Sequence, residues 1–320
     1  MLVEDWHSTF NNLLSLKHRS NQPLTRIGIA SDSKRFQLIN LSTGALLNPI
    51  DMAFPILHGP YGEDGTIQGL FEIANVPYIG SGVFSSAACM NKIITKSLLQ
   101  GKGIATAKFQ VIQKEISPSK GKDIIEDLGL PLIVKPATLG SSIGVNKINK
   151  LEDLPSKIEI ALQYDKKVIV EEFISGRELE VAVLGNNPYK TSIIGEIIPN
   201  SKHEFYSYDA KYIDHHGATL KIPAKLSTDQ ITELQQLASK TCTILNVDGM
   251  ARVDFFMKSN FSSSKNIFVV NEVNTIPGFT EISMFPKLWA ATGITANRLL
   301  NELIQLSLQR HHLRESFKNM

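Results

Sequence analysis

The chain has 320 residues, 42% of them hydrophobic, enough to bury a large core spread over two or three domains. Its 33 basic and 31 acidic residues nearly balance, which gives no support for a nucleic-acid surface or a polybasic membrane patch. No apolar run reaches about 18 residues, the N-terminus MLVEDWHSTF is not a secretory leader, and two cysteines are too few for a disulfide framework or a zinc site. A soluble cytoplasmic protein with two buried, reduced thiols, Cys89 and Cys242, is the expectation.

In chain order, residues 2–17 place Trp6, Phe10, Leu13 and Leu14 at helical spacing. Arg26–Ala30 and Arg35–Asn40 read as short strands around a turn at Ser31–Lys34. Met52–Leu57 reads as a buried strand that ends in the loop His58–Gly65 and leads into a helix over Thr66–Ala74; Val76–Ile79 is a further short strand. Strands alternating with helices predict an open α/β sheet with its ligands beyond the carboxyl ends of the strands, where His58 and Glu63 stand. A lone loop histidine is otherwise simply solvated.

A second region begins near Gly82. Ser85–Gly101 reads as one helix carrying Lys92 and Lys96 a turn apart, by default a solvated face. The run LPLIVKPATLGSSIGVNKI follows as strand, Gly/Ser loop and strand. Gly140, Ser141, Ser142 and Gly144 allow backbone N–H groups to close over phosphates, with Lys135 as a cation, although a flexible hairpin tip has the same composition. KVIVEE, residues 167–172, is a buried strand, and Glu178 and Glu180 beyond it are either a ribose contact or the polar face of an edge strand. Residues 199–223 show little periodicity but carry Tyr206, Tyr208 and Tyr212, as a lid would. Ser227–Leu245 is an amphipathic helix with Ile231, Leu234, Leu237 and Ala238 on one face, and Ala296–His312 is a final helix of core or dimer surface.

The stretch from Arg252 to Ser283 organises the rest. Two β-rich runs, Val253–Met257 and Ile267–Val273, flank a polar segment and predict a hairpin folded about Ser262–Ser263. Period-two alternation then puts Asp254 close to opposite Glu272, with Arg252 and Asn274 beside them. Two carboxylates at that distance repel, so a positive group should lie between them. Oxygen ligands of this kind suit Mg²⁺ carrying nucleotide phosphates.

The segments RVDFF, NEVNTIPGFTEISMFPKLW and HGPYGEDGTIQG resemble the D-alanine–D-alanine ligases, an ATP-grasp family, from about Thr25 to about Leu306. The resemblance implies an α/β (α+β) ATP-grasp fold. It has an N-terminal parallel-sheet domain at 1–81 and two α+β units at 82–172 and 173–320 that sandwich ATP. It implies that His58 and Glu63 face the first D-alanine. Lys92 matches a phosphate-contacting lysine, and Asn91 stands where many members have Asp. Glu171, Glu172, Phe173, Ile174 and Glu178 match adenine and ribose contacts. Lys135, Ser142 and Lys211 complete the ATP site, and Tyr212 in the mobile loop contacts Ser141. Arg252 and the Gly278 N–H match the oxyanion donors, and Ser283 with the Met284 backbone the site of the second carboxylate. Asp254, Glu272 and Asn274 match the ligands of two Mg²⁺ or Mn²⁺ ions. A homodimer making D-alanyl-D-alanine for peptidoglycan is implied. Depsipeptide-forming relatives carry Phe where Tyr212 stands, which favours D-alanine over D-lactate as acceptor; D-lactate or D-serine ligation remains the alternative within the class.

One departure bears on activity. Family members begin with a strand and a Gly-rich loop bearing an acidic residue, and Met1 enters the pattern at the helix that follows. The expectation is either a start upstream of Met1 or a nucleotide-binding chain that is weakly stable and catalytically impaired.

Overall fold

The computed structural model describes residues 26–32, 35–140, 142–200, 217–258 and 268–318. The expected helix at 2–17 and the tip of the β-hairpin lie outside these residues. Strands β1 (Ile27–Asp32) and β2 (Arg35–Asn40) form an antiparallel ladder in which Asp32 faces Arg35. Ser31 and Asp32, expected in the turn, therefore belong to the ladder.

Met52–Leu57 does not form the strand its composition predicts. It makes one parallel bridge, Ala53 to Tyr78, and this is all the ladder that Val76–Ile79 forms too. Val76, Tyr78 and Ile79 are nonetheless buried. Packing buries these three and half-buries most of Met52–Leu57, leaving Leu57 exposed, without a strand ladder, a distinction apolar periodicity does not carry. Helix α1 (Thr66–Ile73) starts after Gly65, whose φ of 93° is left-handed and whose missing Cβ would lie 2.8 Å from the Val83 carbonyl.

The helix expected over 85–101 is two helices, α2 (Val83–Met90) and α3 (Lys92–Gln100). Asn91 divides them. Its extended backbone ends α2, and its side-chain oxygen accepts from the Ile93 and Ile94 N–H groups at 3.1 and 3.2 Å, capping α3.

Strands β3 (Phe109–Ile112), β4 (Leu132–Pro136), β5 (Asn146–Ile148) and β6 (Val168–Glu172) make an antiparallel sheet in the order β3-β6-β4-β5. Helices α4 (Pro118–Leu128) and α5 (Leu154–Leu162) cover one face, burying Ile124, Leu132, Val134, Leu154, Ile158 and Val168 together.

The larger sheet has the order β11-β10-β7-β8-β9, from β7 (Gly176–Leu184), β8 (Lys190–Pro199), β9 (Ala218–Lys221), β10 (Met250–Lys258) and β11 (Phe268–Asn274). Strand β7 is central, so Glu178 and Glu180 do not lie on an edge strand. Its side chains alternate between two cores. Leu179, Val181 and Val183 pack with Leu234 and Ala238 of α6 (Thr228–Ile244), which Ser227 and Gln230 start with a reciprocal capping box. Ala182 and Leu184 pack with Phe285, Leu288 and Trp289 of α7 (Met284–Ala291) and Leu299 and Leu303 of α8 (Ala296–Lys318).

Helix α8 runs past the expected His312 and fastens the N-terminal segment. Arg310 donates to the Tyr78 carbonyl at 2.9 Å and to the Gly80 carbonyl, with its guanidinium 4.2 Å from the Tyr78 ring centroid. Arg314 pairs with Glu72 at 3.0 Å and donates to Asn75 at 3.0 Å. Among the described residues no helix is long and apolar enough to cross a membrane, and Cys89 and Cys242 are buried free thiols.

Candidate active site

The hairpin register sets the site. Arg252 faces Asn274 and Asp254 faces Glu272, and on the other side of β10 Asp254 faces Glu180 of β7. Three carboxylates thus form a row across three strands, interrupted just beyond by a bulge between Asp254 and Phe255. The positive group beside Asp254 is Arg252 itself. Its Nε and Nη2 donate to the two Asp254 oxygens at 2.7 and 2.8 Å, and Nε lies 3.0 Å from Glu180. Burial works against the Arg252 cation, but Asp254 and Glu180 outweigh it and hold its pKa well above the usual value. The Asn274 amide nitrogen donates to Asp254 at 3.0 Å, which keeps the amide oxygen for another partner. Among the described residues no three His, Cys, Asp or Glu side chains gather as a metal site. The donors that fit a hard cation are two carboxylates and one amide oxygen, a set suited to Mg²⁺.

The His58–Glu63 loop faces this row. The Gly59 N–H donates to Glu63 at 2.7 Å. Burial nevertheless pushes the Glu63 carboxyl up to about 7, with Glu272 adding to the rise and Arg252 and Lys92 opposing it. Burial draws the His58 pKa down; its bond to the Ile276 backbone opposes that shift and Arg252 adds to it. At the other end of the hairpin, Ser283 precedes α7 and its Oγ accepts from the Thr280 N–H at 3.1 Å. A Cβ on Gly278 would lie 2.7 Å from that Oγ, so only glycine lets Ser283 stand there. Met284 is buried, with its sulfur against Gly195.

Between the two sheets lies a cavity of about 400 Å³ whose lining includes Lys92, Lys135, Ser142, Glu171, Glu172, Phe173, Ile174, Glu178 and Glu272. Ser142 has a left-handed φ of 58°, a turn conformation in the Gly/Ser loop. Lys92 donates from Nζ to the Leu139 carbonyl at 2.5 Å. The N–H groups of Glu172 and Phe173 are engaged by the Lys108 and Pro131 carbonyls, and Lys147 lies 4.3 Å over the Phe173 ring.

Glu171 belongs to the cavity wall, and its carboxylate is turned to two lysines. Its carboxylate is buried between Lys135 at 2.5 Å and Lys96 at 2.9 Å. Burial alone would raise it; the two ammonium groups outweigh burial and hold it at about 2. Lys96 is 1% exposed and does not belong to a solvated helix face. The motifs also passed over Arg177, which lines the cavity and makes a two-pronged ion pair with Glu196 at 2.6 and 2.8 Å. Lys96 and Glu180 stand out in the sequence beside Lys92 and Glu178, but only their distant partners, Glu171 and Arg252, take them out of a solvated face. Ser141, Lys211 and Tyr212 lie outside the described residues.

The comparisons with known proteins agree with one another. The family described as D-ala D-ala ligase N-terminus matches residues 3–81, and D-ala D-ala ligase C-terminus matches residues 98–305. The D-alanine–D-alanine ligase of Proteus mirabilis (strain HI4320) is 45% identical over 292 residues, 91% of this chain and 78% of the relative. The D-alanine–D-alanine ligase of Thermoanaerobacter sp. (strain X514) is 48% identical over 266 residues, 82% of this chain and 72% of its own. Among solved structures, the D-alanine–D-alanine ligase of Coxiella burnetii superimposes with a TM-score of 0.81 at 34% identity, covering 98% of this chain and 83% of that one. VanG D-Ala:D-Ser ligase from Enterococcus faecalis follows with a TM-score of 0.79 at 32% identity, covering 95% and 85%. With both family halves matched and such identities spanning most of each relative, the chain belongs to the D-alanine–D-alanine ligase family and has its ATP-grasp fold.

Proposed function

We propose that the chain joins two D-alanines into D-alanyl-D-alanine with ATP, through an acyl phosphate, for peptidoglycan precursor synthesis. The observation that carries this reading is the register that sets Asp254 opposite Glu272, which lines one cavity together with Lys92 and Lys135. A carboxylate resists attack by an amine because oxide would have to leave; as an acyl phosphate it loses phosphate instead. In this reading the first D-alanine lies against His58 and Glu63, and its carboxylate takes the γ-phosphoryl group as ADP departs. The amine of the second D-alanine attacks the acyl carbon, and phosphate leaves.

Asp254, Glu272 and Asn274 would hold Mg²⁺ or Mn²⁺, which would neutralise charge on the transferring phosphoryl group. Lys92 and Lys135, with Lys211, balance the remaining phosphate charge. Glu171 to Ile174, with Glu178, flank the base and ribose. Arg252 and the Gly278 N–H meet the oxyanion of the tetrahedral intermediate, and Ser283 with the Met284 backbone receives the second carboxylate. Tyr212 and Ser141 close the lid over ATP. The units are 1–81, 82–172 and 173–320, a division supported by the break between β6 and β7 at residues 173–175. A homodimer belongs to the same reading, on family likeness.

The test is release of ADP and formation of dipeptide by the purified chain with ATP, Mg²⁺ and D-alanine. D-serine, D-lactate and L-alanine are offered as rival acceptors. Ligation of D-alanine in preference to the other three is the expected result. No ADP release with D-alanine overturns the proposal, and preferred release with D-serine would place the chain with its VanG neighbour instead.

A further inference from the structure

Lys96 stands one helical turn beyond Lys92 on α3, yet the two lysines do different things. Lys92 reaches the cavity. Lys96 is 1% exposed, is not part of the cavity wall, and has the Phe109 ring 5.9 Å from its Nζ. A lysine buried this deeply is expensive unless its charge is matched. Its match is Glu171, whose Oε2 lies 2.9 Å away, while Lys135 lies 2.5 Å from Oε1 of the same carboxylate. Glu171 is itself 4% exposed, so water does little to screen the three groups from one another.

The charge count is what matters. Lys135 and Glu171 alone would be a neutral pair, and Lys135 would offer an anion in the cavity only a dipole. With Lys96 protonated behind, the group carries one net positive charge; burial and Lys135 draw the Lys96 pKa down while Glu171 opposes that shift. Glu171 and Lys135 both line the cavity, and Lys135 is the cation that reaches it. If Lys135 turns toward an anion, Glu171 also keeps a partner and is not stranded in the interior.

Resting on the reading of this cavity as a nucleotide site, we propose that Lys96 is a positioning residue for the phosphates: its buried ammonium offsets Glu171, so that Lys135 presents a full positive charge to a nucleoside polyphosphate. Lys96 touches no ligand and acts only through Glu171 and Lys135.

The test is calorimetric titration of the full chain with ADP, and with adenosine by displacement at millimolar concentration, in EDTA so that the metal site plays no part. Lys96→Met is expected to weaken ADP about tenfold and adenosine less than twofold, the size expected for one charge-assisted contact reduced to a weak one. Lys96→Arg, which keeps the charge, restores ADP affinity to within about threefold of wild type. If methionine prevents folding, judged by circular dichroism, Lys96→Gln carries the same comparison. Equal losses of ADP and adenosine in the charge-removing variant, or undiminished ADP affinity, overturn the proposal. Lys135→Met separates the two levels of the argument. If it weakens ADP while Lys96→Met does not, only the role of Lys96 falls; if neither weakens ADP, the nucleotide reading of the cavity falls as well.

Discussion

Replacing Gly278 by alanine tests the acceptor end of the site with one added carbon. The new Cβ would lie 2.7 Å from Ser283 Oγ and 3.3 Å from Ser283 Cβ, where ordinary contact begins near 3.4 Å. Ser283 Oγ must therefore retreat by about 0.7 Å. It is not free to swing aside, because it accepts from the Thr280 N–H at 3.1 Å and shares a hydrogen bond with Thr280 Oγ1 at 2.8 Å. Giving up both costs about 1 kcal/mol each. Gly278 itself has no left-handed φ, so the effect is steric and local. A displacement of about 1 Å in a positioning group costs up to ~10² in rate. Gly278→Ala should accordingly lower kcat/KM for the acceptor D-alanine by about ten- to a hundredfold, with the KM for ATP within about twofold of wild type. Initial rates of ADP release across a D-alanine range wide enough to separate donor and acceptor saturation read both numbers. Wild-type acceptor kinetics in Gly278→Ala would refute the assignment of Ser283 and Gly278 to the acceptor site.

Three further outcomes follow from the same geometry. Arg252→Ala should lose on the order of 10²–10³ in ligation rate; wild-type phosphate release by the purified variant would contradict its role at the oxyanion. Glu63 has a folded pKa of about 7 against an ordinary 4.5, so the folded state keeps a proton that the unfolded state has lost. Stability from this group is full below about pH 4.5, falls as pH rises to about 7 and is level above, by at most ~3 kcal/mol. Urea unfolding of the metal-free chain at pH 5 and pH 8 should show that slope, and Glu63→Gln should remove it. Arg310→Ala loses two carbonyl hydrogen bonds and the contact with the Tyr78 ring, roughly 2–3 kcal/mol together. Limited proteolysis should then cut the segment around 60–80 faster than in wild type, and Arg310→Lys, without the guanidinium fork, should restore little.

The hairpin was legible because its information is local. Two β-rich runs around a polar segment, with Asp, Glu and Asn at even spacing, allow the register to be counted, and Asp254 opposite Glu272 follows. The apolar face of α6 is local in the same way. What escaped depends on partners far along the chain. Nothing near Lys96 announces Glu171, so a lysine a turn from another reads as a solvated face. Strand order is likewise not written within a strand, and Glu180 reads as a polar edge until β10 and β8 are known to flank it. Met52–Leu57 has a strand's composition, but a ladder needs a neighbour, and here the apolar side chains meet side chains instead. Asn91 was readable in principle as a cap; without its extended backbone on view, the apolar pattern ran straight through it.

The grip of α8 on residues 72–80 has a mechanical result. It ties the Glu63 loop to the same frame as the β10–β11 ribbon. The four-stranded sheet leans on that frame through slimmer joints: a bridge of Thr106 to Val270, a small apolar knot of Ala107, Ile174, Val269 and Phe256, and the α3 lysines. A strain applied to the molecule would be taken up along that seam first, and the His58–Glu63 loop and the β10–β11 ribbon would move as one body.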